Sequence, residues 1–168
     1  EVLGYAYANH FRARPAWRQF HAANPSWTVE FNEANGLPHR AFGRPIPTVG
    51  ASPADRAMNF LQGGLAAFGL PLDELQLAHV STSTKHHYVH FAQRHQGVDV
   101  LFGHVLVKMD LQGRVVLFGL DAYPGITTEL TPALSAGAAG DAARSGLPAV
   151  TAVDLRGPRL LPLPVRRG

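Results

Sequence analysis

The sequence predicts an α+β fold, an antiparallel meander of about four strands packed on one helix, from three observations. From Leu75 to Gly119 apolar residues recur at every second position, and turns at Gln96-Gly97 and at Asp110-Leu-Gln-Gly113 divide the run. Immediately upstream, Ser52-Pro53-Ala54-Asp55 is a capping box with proline at the first helical position, and Met58, Leu61, Leu65 and Phe68 follow at helical spacing. A hydrophobic fraction of 46% beside 16% charged residues is that of a globular chain, and no run of about 18 apolar residues is present to span a bilayer.

In chain order, Tyr5, Tyr7, Phe11, Trp17 and Phe20 show no clean period. The strand-like "WTVEF", the turn "NEANG" and a second extended piece then read as a hairpin packed on the body, ended by Pro45 and Pro47. The helix is expected over 52–69, stopped by Gly69 and Pro71. Gly63-Gly64 in its middle cost about 1 kcal/mol each relative to alanine, so tertiary packing must hold it. The segments "LQLAHVST", "TKHHYVHFAQRH", "VDVLFGHVLVKM" and "RVVLFG" are the four strands. After the connector "DAYPGITTELTP", a small-residue helix is expected with Ser135 as cap and Gly146 as stop, and then one short strand near Leu160. This divides the chain into an N-terminal segment and hairpin (1–51), a central domain (52–123), and a connector with an incomplete unit (124–168).

Composition restricts the chemistry. Without cysteine there is no disulfide, thiolate metal site or Cys nucleophile. The net charge of +3 is small and scattered, which argues against a nucleic-acid partner. The basic end, with Arg156, Arg159, Arg166 and Arg167 against Asp154, reads as solvated. The start lacks the basic and apolar stretches of a signal peptide, so a secreted form would have lost it upstream. No H-E-x-x-H, G-x-S-x-G or phosphate loop occurs. Asp73-Glu74 read as solvated, and Asp99, Asp110 and Asp121 as turn residues. His86 and His90 would share a helical face suited to zinc, but on a strand they lie about 13 Å apart, too far to hold one ion.

The second face of the sheet remains. If Val89, Phe91, Val105, Val107 and Met109 point at the helix, period two sends His86, Tyr88, His90, His104, Leu106 and Lys108 to the opposite side. That mixed set is either a solvated surface or a candidate partner face. Its histidines charge near pH 5, so an interface there would weaken on acidification if the partner were apolar or cationic.

The stretch "VHFAQRHQGVDVLFGHVLVKMDLQGRVVLFG" resembles the FTP domain, the fungalysin/thermolysin propeptide. Gln93, Gly97, Val98, Val100, Gly103, Asp110 and Gly113 occupy its motif positions, with Asp99 where the family usually has proline. "LTPALSAGAAGDAARSGL" and "RLLPLP" are similar to the opening helix and strand of a PepSY domain, although Gly137 and Ala138 replace its usual glutamates. The resemblance is closest over 76–119, extends to 24–75, and is slighter from 128 onward.

What it implies is a non-catalytic propeptide of a secreted zinc metalloprotease, acting as intramolecular chaperone and inhibitor. The partner is then the cognate catalytic domain, which carries the zinc and the H-E-x-x-H helix; this chain itself needs no cofactor. Arg166-Arg167 are a candidate cleavage site. The alternatives are a stand-alone secreted or periplasmic FTP/PepSY-type binding module and, from the enzyme class, a histidine-based metal hydrolase.

Overall fold

The structure, a computed structural model, describes residues 9–128, 130–131 and 134–145. After helical residues 9–12, helix α1 (Pro15–Ala23) opens on a proline and buries Trp17 and Phe20. Asn24 ends it, its side-chain amide donating to the Phe20 carbonyl at 3.0 Å. Sequence periodicity missed α1, because a nine-residue helix with two buried side chains carries too little pattern to register.

Strands β1 (Thr28–Phe31) and β2 (Pro38–Ile46) form the expected hairpin. Its position differs from the expectation. β2 hydrogen-bonds to β6 (Val115–Asp121), so the hairpin extends the sheet rather than packing on it. With β3 (Leu75–Thr82), β4 (His86–His95) and β5 (Val98–Asp110), the result is one six-stranded antiparallel sheet in the order β1-β2-β6-β5-β4-β3. The α+β class holds, and the four-strand meander is intact within the larger sheet.

The helix α2 (Pro53–Asn59) starts as expected. The Asp55 N–H donates to Ser52 Oγ at 3.1 Å, and the Ser52 N–H donates to the Asp55 carboxylate at 3.0 Å. Beyond Asn59, however, the backbone widens into a π turn over Phe60–Gly64 and tightens into a 3₁₀ turn over Ala66–Phe68. The two glycines fall inside the widened turn, where they no longer hold a regular α ladder. The apolar stripe nevertheless reaches the sheet: Leu61 and Leu65 are fully buried against Val89, Val105, Val107 and Met109.

One core serves both halves of the sheet. Phe118 of β6 stacks on Trp27 at 5.4 Å and meets Phe20 at 5.3 Å and Phe60 at 5.7 Å. Aromatics from α1, the hairpin and the α2 segment therefore converge on a single β6 side chain. Further on, α3 (Ala136–Ser145) is capped by Ser135, whose Oγ accepts from the Ala138 N–H at 3.2 Å. The predicted stop at Gly146, the strand near Leu160 and the dibasic Arg166-Arg167 lie outside the described residues.

Candidate functional site

The motif residues gather where β4 and β5 lose register. Ala92 pairs with His104 and Arg94 with Asp99, so Gln93 alone stands opposite the segment Val100–Gly103, which bulges from the ladder. The bulge is built by fixed requirements on each side chain. Gln93 is fully buried, and its amide donates to Glu74 Oε2 at 2.7 Å and to the Tyr123 carbonyl at 2.9 Å while its oxygen accepts from the Tyr123 N–H at 2.8 Å. Gly103 has no room for a side chain, since a Cβ there would sit 2.9 Å from that of Val100 and 3.0 Å from that of Gln93. Phe102 at the crest has a φ of 62° and is 66% exposed.

The β4–β5 turn explains Gly97. Gln96 and Gly97 both have positive φ, 49° and 80°, the two-residue arrangement whose twist matches that of the paired strands. At the other end of β5, Asp110 closes the turn by accepting from the N–H groups of Gln112 and Arg114 at 3.0 and 2.9 Å and from the Arg114 guanidinium at 2.7 Å. Burial pushes the Asp110 carboxyl up, but the Arg114 and Gln112 hydrogen bonds and the Arg114 charge outweigh it, holding the group below the usual carboxylate range.

Two carboxylates differ from their sequence reading. Glu74 is not solvated: it bridges Gln93 and His95, accepting from His95 Nδ1 at 2.5 Å, and His95 itself is almost fully enclosed. Asp121 is not a turn residue but a buried one at the end of β6. It accepts from Asn32 at 2.7 Å and from His39 Nδ1 at 2.9 Å, with His104 Nε2 at 3.4 Å. Both sets join residues far apart in sequence, and no local spacing signals them.

The open face is arranged as period two requires. Val89, Phe91, Val105, Val107 and Met109 are buried beneath the helical layer, while His86, Tyr88, His90, His104, Leu106 and Lys108 face the other way and are half-buried or exposed. Register sets Tyr88 opposite Lys108 and His90 opposite Leu106, and it places His86 opposite Asp110. His104 pairs with Ala92 on β4 and with Asp121 on β6. β3 adds His79, whose ring centroid lies 6.3 Å from that of His90. Burial, together with the charges of His79 and His104, holds the His90 imidazole below its ordinary pKa. Among the described residues, no three His, Cys, Asp or Glu side chains are grouped to hold a metal ion. A broad concavity of about 910 Å³ between α1 and β1 is lined by Arg12, Arg18 and His21 among others.

The bulge, its buried glutamine and the two glycine turns lie within one segment. Residues 74–122 match the Fungalysin/Thermolysin Propeptide Motif. Every motif residue from Gln93 to Gly113 is inside the match, and so is Glu74, its first position. No curated protein matches the chain in sequence. Among solved structures, the C-terminal domain of Bacillus megaterium YpeB is similar over 73% of this chain at 22% identity and a TM-score of 0.42. This chain spans 54% of that one's length. In the described residues no helix is long and apolar enough to cross a membrane.

Proposed function

We propose that the chain is the propeptide of a secreted thermolysin- or fungalysin-like metalloprotease, a non-catalytic module that assists folding of the catalytic domain and inhibits it. The observation that carries this reading is the match of 74–122 to the propeptide motif, over a bulge whose buried contacts require its residues. A rigid, preformed surface is what such a role needs. By binding the native protease better than its unfolded or misfolded states, the module shifts the folding balance by mass action, with no chemistry of its own. Zinc in this reading belongs to the catalytic domain and is not held by this chain.

The test has two stages. The reading frame beyond Gly168 is expected to encode H-E-x-x-H about a hundred or more residues downstream. The purified chain, added to that catalytic domain, is then expected to lower its peptidase activity in stoichiometric proportion. A frame without that motif would leave a stand-alone binding module instead, and undiminished activity at saturating chain would contradict inhibition.

A further inference from the structure

The open sheet face has a charge pattern that the chain itself leaves unbalanced. Cross-strand register sets out two rows. One runs His79, His90, Leu106 and Gly119 across β3, β4, β5 and β6. The next runs Ser81, Tyr88, Lys108, Leu117 and Phe42, reaching β2. Lys108 Nζ sits 5.4 Å over the Tyr88 ring, and the His86 ring contacts Tyr88 at 6.2 Å. Directly opposed side chains lie about 5 Å apart and diagonal ones in neighbouring rows about 7 Å, so His79, His86, His90 and Lys108 form one patch beside an apolar strip of Leu106, Leu117 and Phe42. Phe42 is 49% exposed.

The carboxylates at the margins are already engaged. Asp110, opposite His86, is held by Arg114 and two turn N–H groups. Asp121, opposite His104, is buried under Asn32 and His39. Among the described residues, no carboxylate ion-pairs with His79, His86, His90 or Lys108.

We propose that this face docks an acidic polypeptide surface, with carboxylates over His79, His90 and Lys108 and an apolar side chain against Leu106, Leu117 and Phe42. Charge complementarity selects that occupant. The chain's own end carries Arg156, Arg159, Arg166 and Arg167 against Asp154, which has the wrong sign. A second copy would bring the same cations face to face. Anionic lipid is recruited by dense clusters of Lys and Arg, whereas Lys108 is the single Lys or Arg in these two rows. The inference rests on the propeptide reading and names the face and the chemistry of its partner. It also fixes the sign of the pH dependence: burial and the charges of His79 and His104 hold the His90 imidazole below its ordinary pKa, and partner carboxylates set over it favour its protonation, so acidification tightens the contact.

The experiment is calorimetric titration of the full chain into the catalytic domain of the proposed protease, at pH 7.5 and 5.5. The wild type is expected to bind about tenfold tighter at pH 5.5, the combined change His79→Gln with His90→Gln to flatten that difference, and Lys108→Glu to weaken binding about tenfold at both pH values. Lys108→Gln, which removes the charge without reversing it, is the control if Lys108→Glu shifts the thermal melt, and it should weaken binding by a smaller factor. Binding that is flat or weaker on acidification, or indifferent to both Lys108 changes, overturns the proposal and leaves the propeptide reading standing. No binding at either pH overturns both. Equal binding of the wild-type chain to phosphatidylserine vesicles overturns it in favour of a membrane surface.

Discussion

Gln93 is the residue on which the motif segment turns. A buried primary amide has two donors and an acceptor to satisfy, and here Glu74 and both backbone groups of Tyr123 take them. Gln93→Leu keeps the volume and strands these partners, so it is expected to cost about 2–4 kcal/mol, read as a lowered urea midpoint at unchanged slope. A loss under 1 kcal/mol would mean that water or rotation replaces the bonds. Phe102 is the opposite case. Its left-handed backbone costs about 1–2 kcal/mol, and its ring is mostly in solvent. Phe102→Gly is therefore expected to leave stability unchanged or raise it by up to about 1 kcal/mol. A clear loss would show that the ring packs on the bulge. The turns at Gly97 and Gly113 were readable in the sequence because glycine turns are local signals, and the remaining motif positions only through the family resemblance. The roles of Glu74, His95 and Asp121 were not, because each depends on partners brought together only by the sheet register and the chain exit after β6.

At the scale of elements, periodicity located β3 to β6 and the capped start of α2, since alternation and capping are properties of adjacent residues. It missed the π and 3₁₀ geometry after Asn59 and the whole of α1. The first follows from Phe60, Leu61 and Leu65 all finding the core across a glycine-containing turn, and the second from a helix of nine residues that buries only Trp17, on Phe20 and Phe31, and Phe20, on Phe118. The three strands β3, β4 and β5 also predict a pH response. His90 has a folded-state pKa lowered by burial and by His79 and His104. The unfolded chain then binds more protons in the window just below about 6.5, so stability is full above that pH and falls as pH drops toward the folded value. Urea unfolding at pH 7.5 and 5.5 is expected to show a smaller loss for His90→Gln than for the wild type. An equal or larger loss in the variant would place the titrating group elsewhere.

Across the whole molecule, the hairpin and the motif segment share a sheet and an aromatic core, which the sequence pattern alone presented as separate pieces. The joint is polar at one end and apolar at the other: Asp121 receives Asn32 and His39, while Trp27 stacks on Phe118. Asp121→Ala is expected to lower stability by about 2–3 kcal/mol through the stranded donors. Because the core is continuous, unfolding should remain one transition, with tryptophan fluorescence from Trp17 and Trp27 coinciding with far-ultraviolet circular dichroism. A tryptophan signal lost well before the sheet signal would show that the hairpin folds independently.

In the proposed role this scaffold acts by binding a protease, and recovery of activity is the readout of that binding. The catalytic domain of the proposed protease, unfolded in guanidinium and diluted with or without an equimolar amount of this chain, is the sample. After removal of the bound chain by proteolysis, several-fold more zinc-dependent peptidase activity is expected in the tube that held the chain. Equal recovery in both tubes would contradict it.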